Sequence, residues 1–97
     1  MNNTQRKICE DAIQIFGVPA QLDMAVEEMS ELTKEICKHK RGLGDKGHIA
    51  EEIADVEIML EQLKIIFDRH VSVEAQVDSK LDRLQQRIEV ATNANNR

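Results

Sequence analysis

Helix-breaking residues are scarce in this chain. Four Gly and one Pro leave long stretches in which nothing interrupts a helix. Cysteine is equally sparse. Cys9 and Cys37 are too few for the disulfide lattice of a small secreted domain and lack the paired spacing of a zinc site, so free thiols in a reducing cytoplasm are expected. No signal-type leader or apolar run of membrane length is read in the chain, so a cytoplasmic location and no membrane partner are expected. A basic excess is missing too: the net charge of −5 argues against a nucleic-acid backbone as the main ligand. Ser30 and Ser72 lack a base arrangement for nucleophilic catalysis. No Glu-x-x-His step of a di-iron bundle is present, and Cys37, His39 and His48 are too irregularly spaced to favour zinc. Internal repeats are absent.

What remains is a chain of 97 residues, 41% hydrophobic and 32% charged, which reads as one folded domain. A domain of this size buries its own surface only moderately, and oligomerisation is a natural remedy. The periodicity predicts an all-α, four-helix bundle-type fold. A first helix starts near Asn3 or Thr4 and runs to Gly17, with Ile8, Ala12, Ile15 and Phe16 on one face. Gly17-Val18-Pro19 breaks it. A second helix, from Pro19 to Arg41, buries Leu22, Ala25, Val26, Met29, Leu32 and Ile36.

A third helix, from His48 to Arg69, carries the stripe Ile49, Ile53, Val56, Leu60, Leu63 and Phe67. Ile58 and Ile65 lie on another side, so this helix should be central or shared between subunits. Val71-Ser72-Val73 interrupts the pattern, with Ser72 as a cap. The fourth helix places Val77, Leu81, Leu84, Ile88 and Ala91 on one stripe, suited to packing or dimerisation. Thr92 to Arg97 reads as a polar tail that frays.

Two acidic steps stand out against this plan. Glu28 and Glu31 on the second helix, and Glu52 and Asp55 on the third, are each three residues apart, which puts the members of a pair on one helix face about a turn apart. Glu52 and Asp55 fall on or beside the apolar stripe, where a carboxylate is costly without a compensating cation. Two such clamps on neighbouring helices offer four hard oxygen ligands, a set suited to Mg²⁺ or Mn²⁺. The plainer alternative is a solvated face on which Glu31 or Glu35 pairs with Lys34, Lys38 or His39.

Between the clamps lies the one strongly basic, Gly-rich stretch, Lys38 to His48, which is expected to be a loop. It tethers Lys38, Lys40, Arg41 and Lys46 near the acids, where these residues, with Lys34, could meet phosphate oxygens. Equally, the cations could simply offset the dipole at a helix C-terminus. The spacing matches no Walker-type phosphate loop.

The order Glu28-x-x-Glu31, basic loop, Glu52-x-x-Asp55 resembles the MazG-like family of all-α nucleoside triphosphate pyrophosphohydrolases. The likeness spans about Gln21 to Phe67 and includes Glu-Glu-x-x-Glu-Leu at Glu27 to Leu32 and Glu-Glu-Ile-Ala-Asp-Val at Glu51 to Val56. The resemblance implies that Glu28, Glu31, Glu52 and Asp55 hold magnesium. It also implies that a nucleoside triphosphate is cleaved between its α and β phosphates to a monophosphate and pyrophosphate, possible work in cleansing the nucleotide pool. Glu28 or Glu31 would accept the water's proton. Family members are homodimers or homotetramers with shared bundles. The absence of Trp and Tyr departs from many relatives and leaves base stacking to Phe16, Phe67, a histidine or apolar side chains, with Phe67 reading more as core. Two other readings stay open: a phosphoribosyl-ATP pyrophosphohydrolase-like enzyme with the same clamp plan, and a non-catalytic helical interaction module.

Overall fold

A computed structural model describes residues 1–95, and those residues form four helices and no strand: α1 (Asn3–Phe16), α2 (Val18–Lys40), α3 (Lys46–Phe67) and α4 (His70–Asn95). The all-α expectation holds, while several boundaries move for identifiable local reasons. Asn2, rather than Asn3 or Thr4, caps α1: its side chain accepts from Gln5 N at 2.8 Å while Gln5 Oε1 accepts from Asn2 N at 3.0 Å. This reciprocal box satisfies two amides of the kind a helix start leaves free. Gly17 ends α1 by donating to Ile13 O at 2.9 Å, and its φ of 91° turns the chain directly into α2. Only glycine takes that backbone without strain. Pro19 follows in the first turn of α2, where its missing N–H costs nothing.

The expected loop from Lys38 to His48 shrinks to residues 41–45. Lys38, His39 and Lys40 form the last turn of α2, with their charges at its carbonyl end. On the other side, Asp45 accepts from His48 N at 2.8 Å and so starts α3 at Lys46 instead of His48, despite Gly47 in the first turn. A connection this short makes α2 and α3 antiparallel neighbours.

The α3–α4 break also comes earlier than the pattern implies. Asp68 adopts the left-handed conformation (φ 50°) and ends α3, with Asp68 N donating to Ile65 O at 3.1 Å and Arg69 N to Lys64 O at 3.0 Å. Helix α4 therefore begins at His70, and Ser72 lies within its first turn instead of capping it. The polar tail is helical as far as Asn95; Asn96 and Arg97 lie outside the described residues.

Helix α3 is central and touches each of the other three. Its seam with α2 keeps only part of the apolar stripes read from the sequence: Leu22, Ala25 and Leu32 on α2, and Ile49, Val56 and Leu63 on α3. On α2, Gln21, Ala25 and Glu35 are buried and Leu22, Glu28 and Leu32 half-buried; on α3, Met59 and Gln62 are buried and Ile49, Glu52, Val56, Leu63 and Ile66 half-buried. These positions recur in alternating steps of three and four, the spacing of two helices packed side by side. The seam thus runs through glutamates and glutamines as well as aliphatics. Val26, Met29 and Ile36 of α2, and Ile53, Leu60 and Phe67 of α3, lie outside it and are exposed.

Phe67 is therefore not core, being 57% exposed. On α1 the buried residue is Cys9, while Ile8, Ile15 and Phe16 are exposed. Helix α4 buries no residue at all. The radius of gyration of 17.3 Å confirms an open shape, since a compact chain of this length would have about 12–13 Å. No helix is long and apolar enough to cross a membrane among the described residues.

Candidate metal centre

The antiparallel pairing brings Glu28 of α2 against Glu52 and Asp55 of α3. One carboxylate oxygen from each lies within 4.8 Å of the others. Glu28 and Glu52 are half-buried in the seam, and Asp55 is exposed at its edge, not set against the apolar stripe as the sequence pattern implied. Burial is the main influence raising the Glu28 carboxyl above the ordinary glutamate value. The charges of Asp55 and Glu52, a hydrogen bond with Asp55, and Glu27 push it the same way. Glu52 adds a further sign of incompleteness: its Oε2 is buried and has no hydrogen-bond partner.

Glu31 stands apart from this group. It is half-buried, with Oε1 3.6 Å from Lys34 Nζ. Lys38 is likewise drawn to a carboxylate of its own helix, its Nζ 3.2 Å from Glu35 Oε1. Both pairs follow the plainer of the two sequence readings. Lys40, Arg41 and Lys46 are exposed around the turn and make no ion pair among the described residues.

Glu35 and His48 were not placed together by sequence reasoning. Glu35 is 4% exposed, and its Oε2 is buried without a hydrogen-bond partner. His48 sits between two acids, with Nδ1 3.6 Å from Glu35 Oε2 and Nε2 3.9 Å from Glu52 Oε1. Gly44 closes over the pair. At φ +79° a Cβ there would lie 3.5 Å from Glu35 Oε2. The available signal was register: Glu28 and Glu35 are seven residues apart and so share a helix face, as His48 and Glu52 do at four.

A second buried acid lies at the far end of α3. Glu61 Oε1 accepts from Arg6 Nε of α1 at 2.8 Å and contacts His70 Nε2 of α4 at 2.9 Å. Burial pushes its carboxyl upward, but the hydrogen bonds from His70 and Arg6, with their charges, outweigh that and hold it below the ordinary value. The thiol of Cys9, also buried, is pushed up by burial and by Glu61 and Glu10, which leaves it a poor nucleophile.

Three carboxylates so close together repel unless a cation or protons intervene. Hard oxygen donors, one of them half-buried with an orphaned oxygen, fit a small divalent ion such as Mg²⁺ or Mn²⁺ better than a soft metal. Compared with protein-family models, with curated proteins and with solved structures, the chain matches none.

Proposed function

We propose that the chain is a Mg²⁺-dependent nucleoside triphosphate pyrophosphohydrolase of MazG-like type. The observation that carries this reading is the convergence of Glu28, Glu52 and Asp55 across the α2–α3 seam. Those three residues, joined by Glu31 if its side chain leaves Lys34, would hold the ion; Mn²⁺ could take its place. When bound, the ion neutralises phosphate charge and makes a water more acidic. Glu28 or Glu31 would take the proton. Lys40, Arg41 and Lys46, with Lys34 and Lys38 when not paired internally, supply positive charge for the phosphates.

In this reading a second copy completes the bundle, as a homodimer or homotetramer. The support is α4, whose Val77, Leu81, Leu84 and Ile88 are 45–55% exposed. An apolar groove of about 490 Å³ beside it is lined by Leu60, Leu63, Phe67, Val73 and Val77, among others.

The test is a product-resolved screen of nucleoside triphosphates with Mg²⁺ and with Mn²⁺. Expected products are a monophosphate and pyrophosphate from at least one substrate, with Glu52→Gln and Asp55→Asn folded but nearly inactive. Release of orthophosphate alone, or no turnover across the panel, would overturn the reading. A helical interaction module is the second reading, favoured by the internal pairs of Glu31 with Lys34 and Glu35 with Lys38.

A further inference from the structure

Helix α4 is the only one of the four that buries no residue. Its one side-chain hydrogen bond to another helix, among the described residues, is that of His70 with Glu61. Val73 and Val77 share a groove with Leu60 and Leu63 of α3, and beyond them Leu81, Leu84 and Ile88 stand 45–55% exposed. Little in its own sequence compensates for this. Val71, Val73, Val77, Ile88 and Val90 are β-branched and lower its intrinsic helix propensity. Its first turn carries no acid and its last turn no base. Such a helix draws its stability from packing.

The charges of α4 sort completely by sign about the apolar stripe. At 100° per residue, Lys80, Arg83 and Arg87 fall on one flank and Glu74, Asp78, Asp82 and Glu89 on the other. No lysine or arginine of α4 has an acid three or four residues away, whereas Glu74, Asp78 and Asp82 follow one another at steps of four, as do Arg83 and Arg87. Like charges at that spacing weaken an isolated helix. They suit a partner helix that presents the opposite sign at each flank. A second copy of α4 does so only when it runs in the same direction. A two-fold axis along the helices sets each basic flank against the partner's acidic one, whereas an antiparallel copy sets like against like.

We propose that two copies of the chain associate through α4, side by side and parallel about a two-fold axis along that helix, and that α4 owes its helical state to the pairing. This deepens the self-association in the reading above, rests on that part of it alone and needs no metal centre. The exposed area agrees. The chain exposes 7624 Å², roughly 2,000 Å² more than a compact monomer of its mass. Covering that excess on two copies removes roughly 4,000 Å² from water, within the range of obligate homodimers.

The experiment is light scattering after gel filtration on the full chain over a range of concentrations, with circular dichroism and two sets of charge reversals. Wild type is expected at twice the mass of one chain of 11.1 kDa, with a melting temperature that rises with concentration. Lys80→Glu, Arg83→Glu and Arg87→Glu together make both flanks acidic and are expected to give single chains with less helix. Glu74→Lys, Asp78→Lys, Asp82→Lys and Glu89→Lys together make both flanks basic and are expected to do the same. Mixing the two sets is expected to restore the double mass and the lost helix. Direction is read with Ala91→Cys in a Cys37→Ser background: in the parallel pair the two new thiols lie at one level, and mild oxidation links the copies. A single-chain mass for wild type at every concentration, which leaves the stripe to a different protein, overturns the proposal and the self-association with it. Reversed sets that stay paired on their own, or a mixture that stays single-chain, overturn the pairing through α4. An Ala91→Cys dimer that fails to cross-link overturns the parallel direction while self-association stands.

Discussion

Glu28 on α2 and Asp55 on α3 face each other with carboxylate oxygens no more than 4.8 Å apart, and neither has a lysine or arginine beside it among the described residues. Their neighbours Glu31 and Glu35 each have a lysine on the next turn. Glu31 and Glu35 are thus compensated by lysines, whereas Glu28 and Asp55 are not. That contrast leads to the first prediction.

Mg²⁺ or Mn²⁺ will stabilise the wild-type chain against heat. An ion present at a hundred times its dissociation constant adds about 2.7 kcal/mol. In Glu52→Gln and Asp55→Asn the metal-dependent shift disappears, while the metal-free melting temperature stays level or rises because a repelling charge is gone. Melts with and without metal check this. A metal shift that survives in both variants would place the ion elsewhere.

Metal-free stability should depend on pH in two opposite ways. The Glu28 carboxyl is raised in the folded chain, so the folded state binds more protons than the unfolded one between the two values. Stability is then lost as pH climbs from the ordinary glutamate pKa of about 4.3 through the raised value. Glu61 is lowered, so its contribution is present above the ordinary value and is lost as pH falls through the folded one. Urea melts across pH should show Glu28→Gln flattening the first decline and Glu61→Gln the second.

Glu61 is the junction of three helices, accepting from Arg6 of α1 and meeting His70 of α4. Replacing it with Ala removes hydrogen bonds to charged groups, each worth about 1.5–3 kcal/mol. Because the Arg6 side chain is 41% exposed and can turn to water, the net loss should sit toward the lower end. Denaturant unfolding measures it. A neutral substitution would show that the junction contributes nothing net.

Self-association through α4 should be sensitive to its apolar stripe. Leu81→Glu together with Leu84→Glu puts charge on a face that is otherwise open, and is expected to lower the solution mass toward that of one chain of 11.1 kDa without loss of helicity. Light scattering after gel filtration reads the mass and circular dichroism the helix content. An unchanged mass would remove α4 from the interface.

The bend at Asp68 stores a small amount of strain, since a non-glycine residue there holds φ at 50°. Asp68→Gly should stabilise the chain by about 0.5–1 kcal/mol, less than the full left-handed penalty because Asp tolerates this region better than most residues. Thermal unfolding under fixed metal conditions tests the sign.

The four helices were legible in the chain because scarce Gly and Pro, apolar periodicity and local caps act within a few residues of one another. The approach of Glu28 to Glu52 and Asp55 requires only that α2 and α3 be antiparallel neighbours, but Glu31, expected in the same group, does not join it. Where the sequence reading erred, one periodic pattern admitted two answers. The stripe read on α3 comprises Ile49, Ile53, Val56, Leu60, Leu63 and Phe67, whereas packing keeps Ile49, Val56 and Leu63, adds Met59 and Ile66, and leaves Ile53, Leu60 and Phe67 exposed. That choice buried Glu35 and left Asp55 at the edge. It also put His48 between two acids and Glu61 between Arg6 and His70, relationships that join separate helices and depend on how those helices are rotated against one another. Local chemistry set the helices; rotation about their axes, fixed by burial across the seam, decided which charges meet.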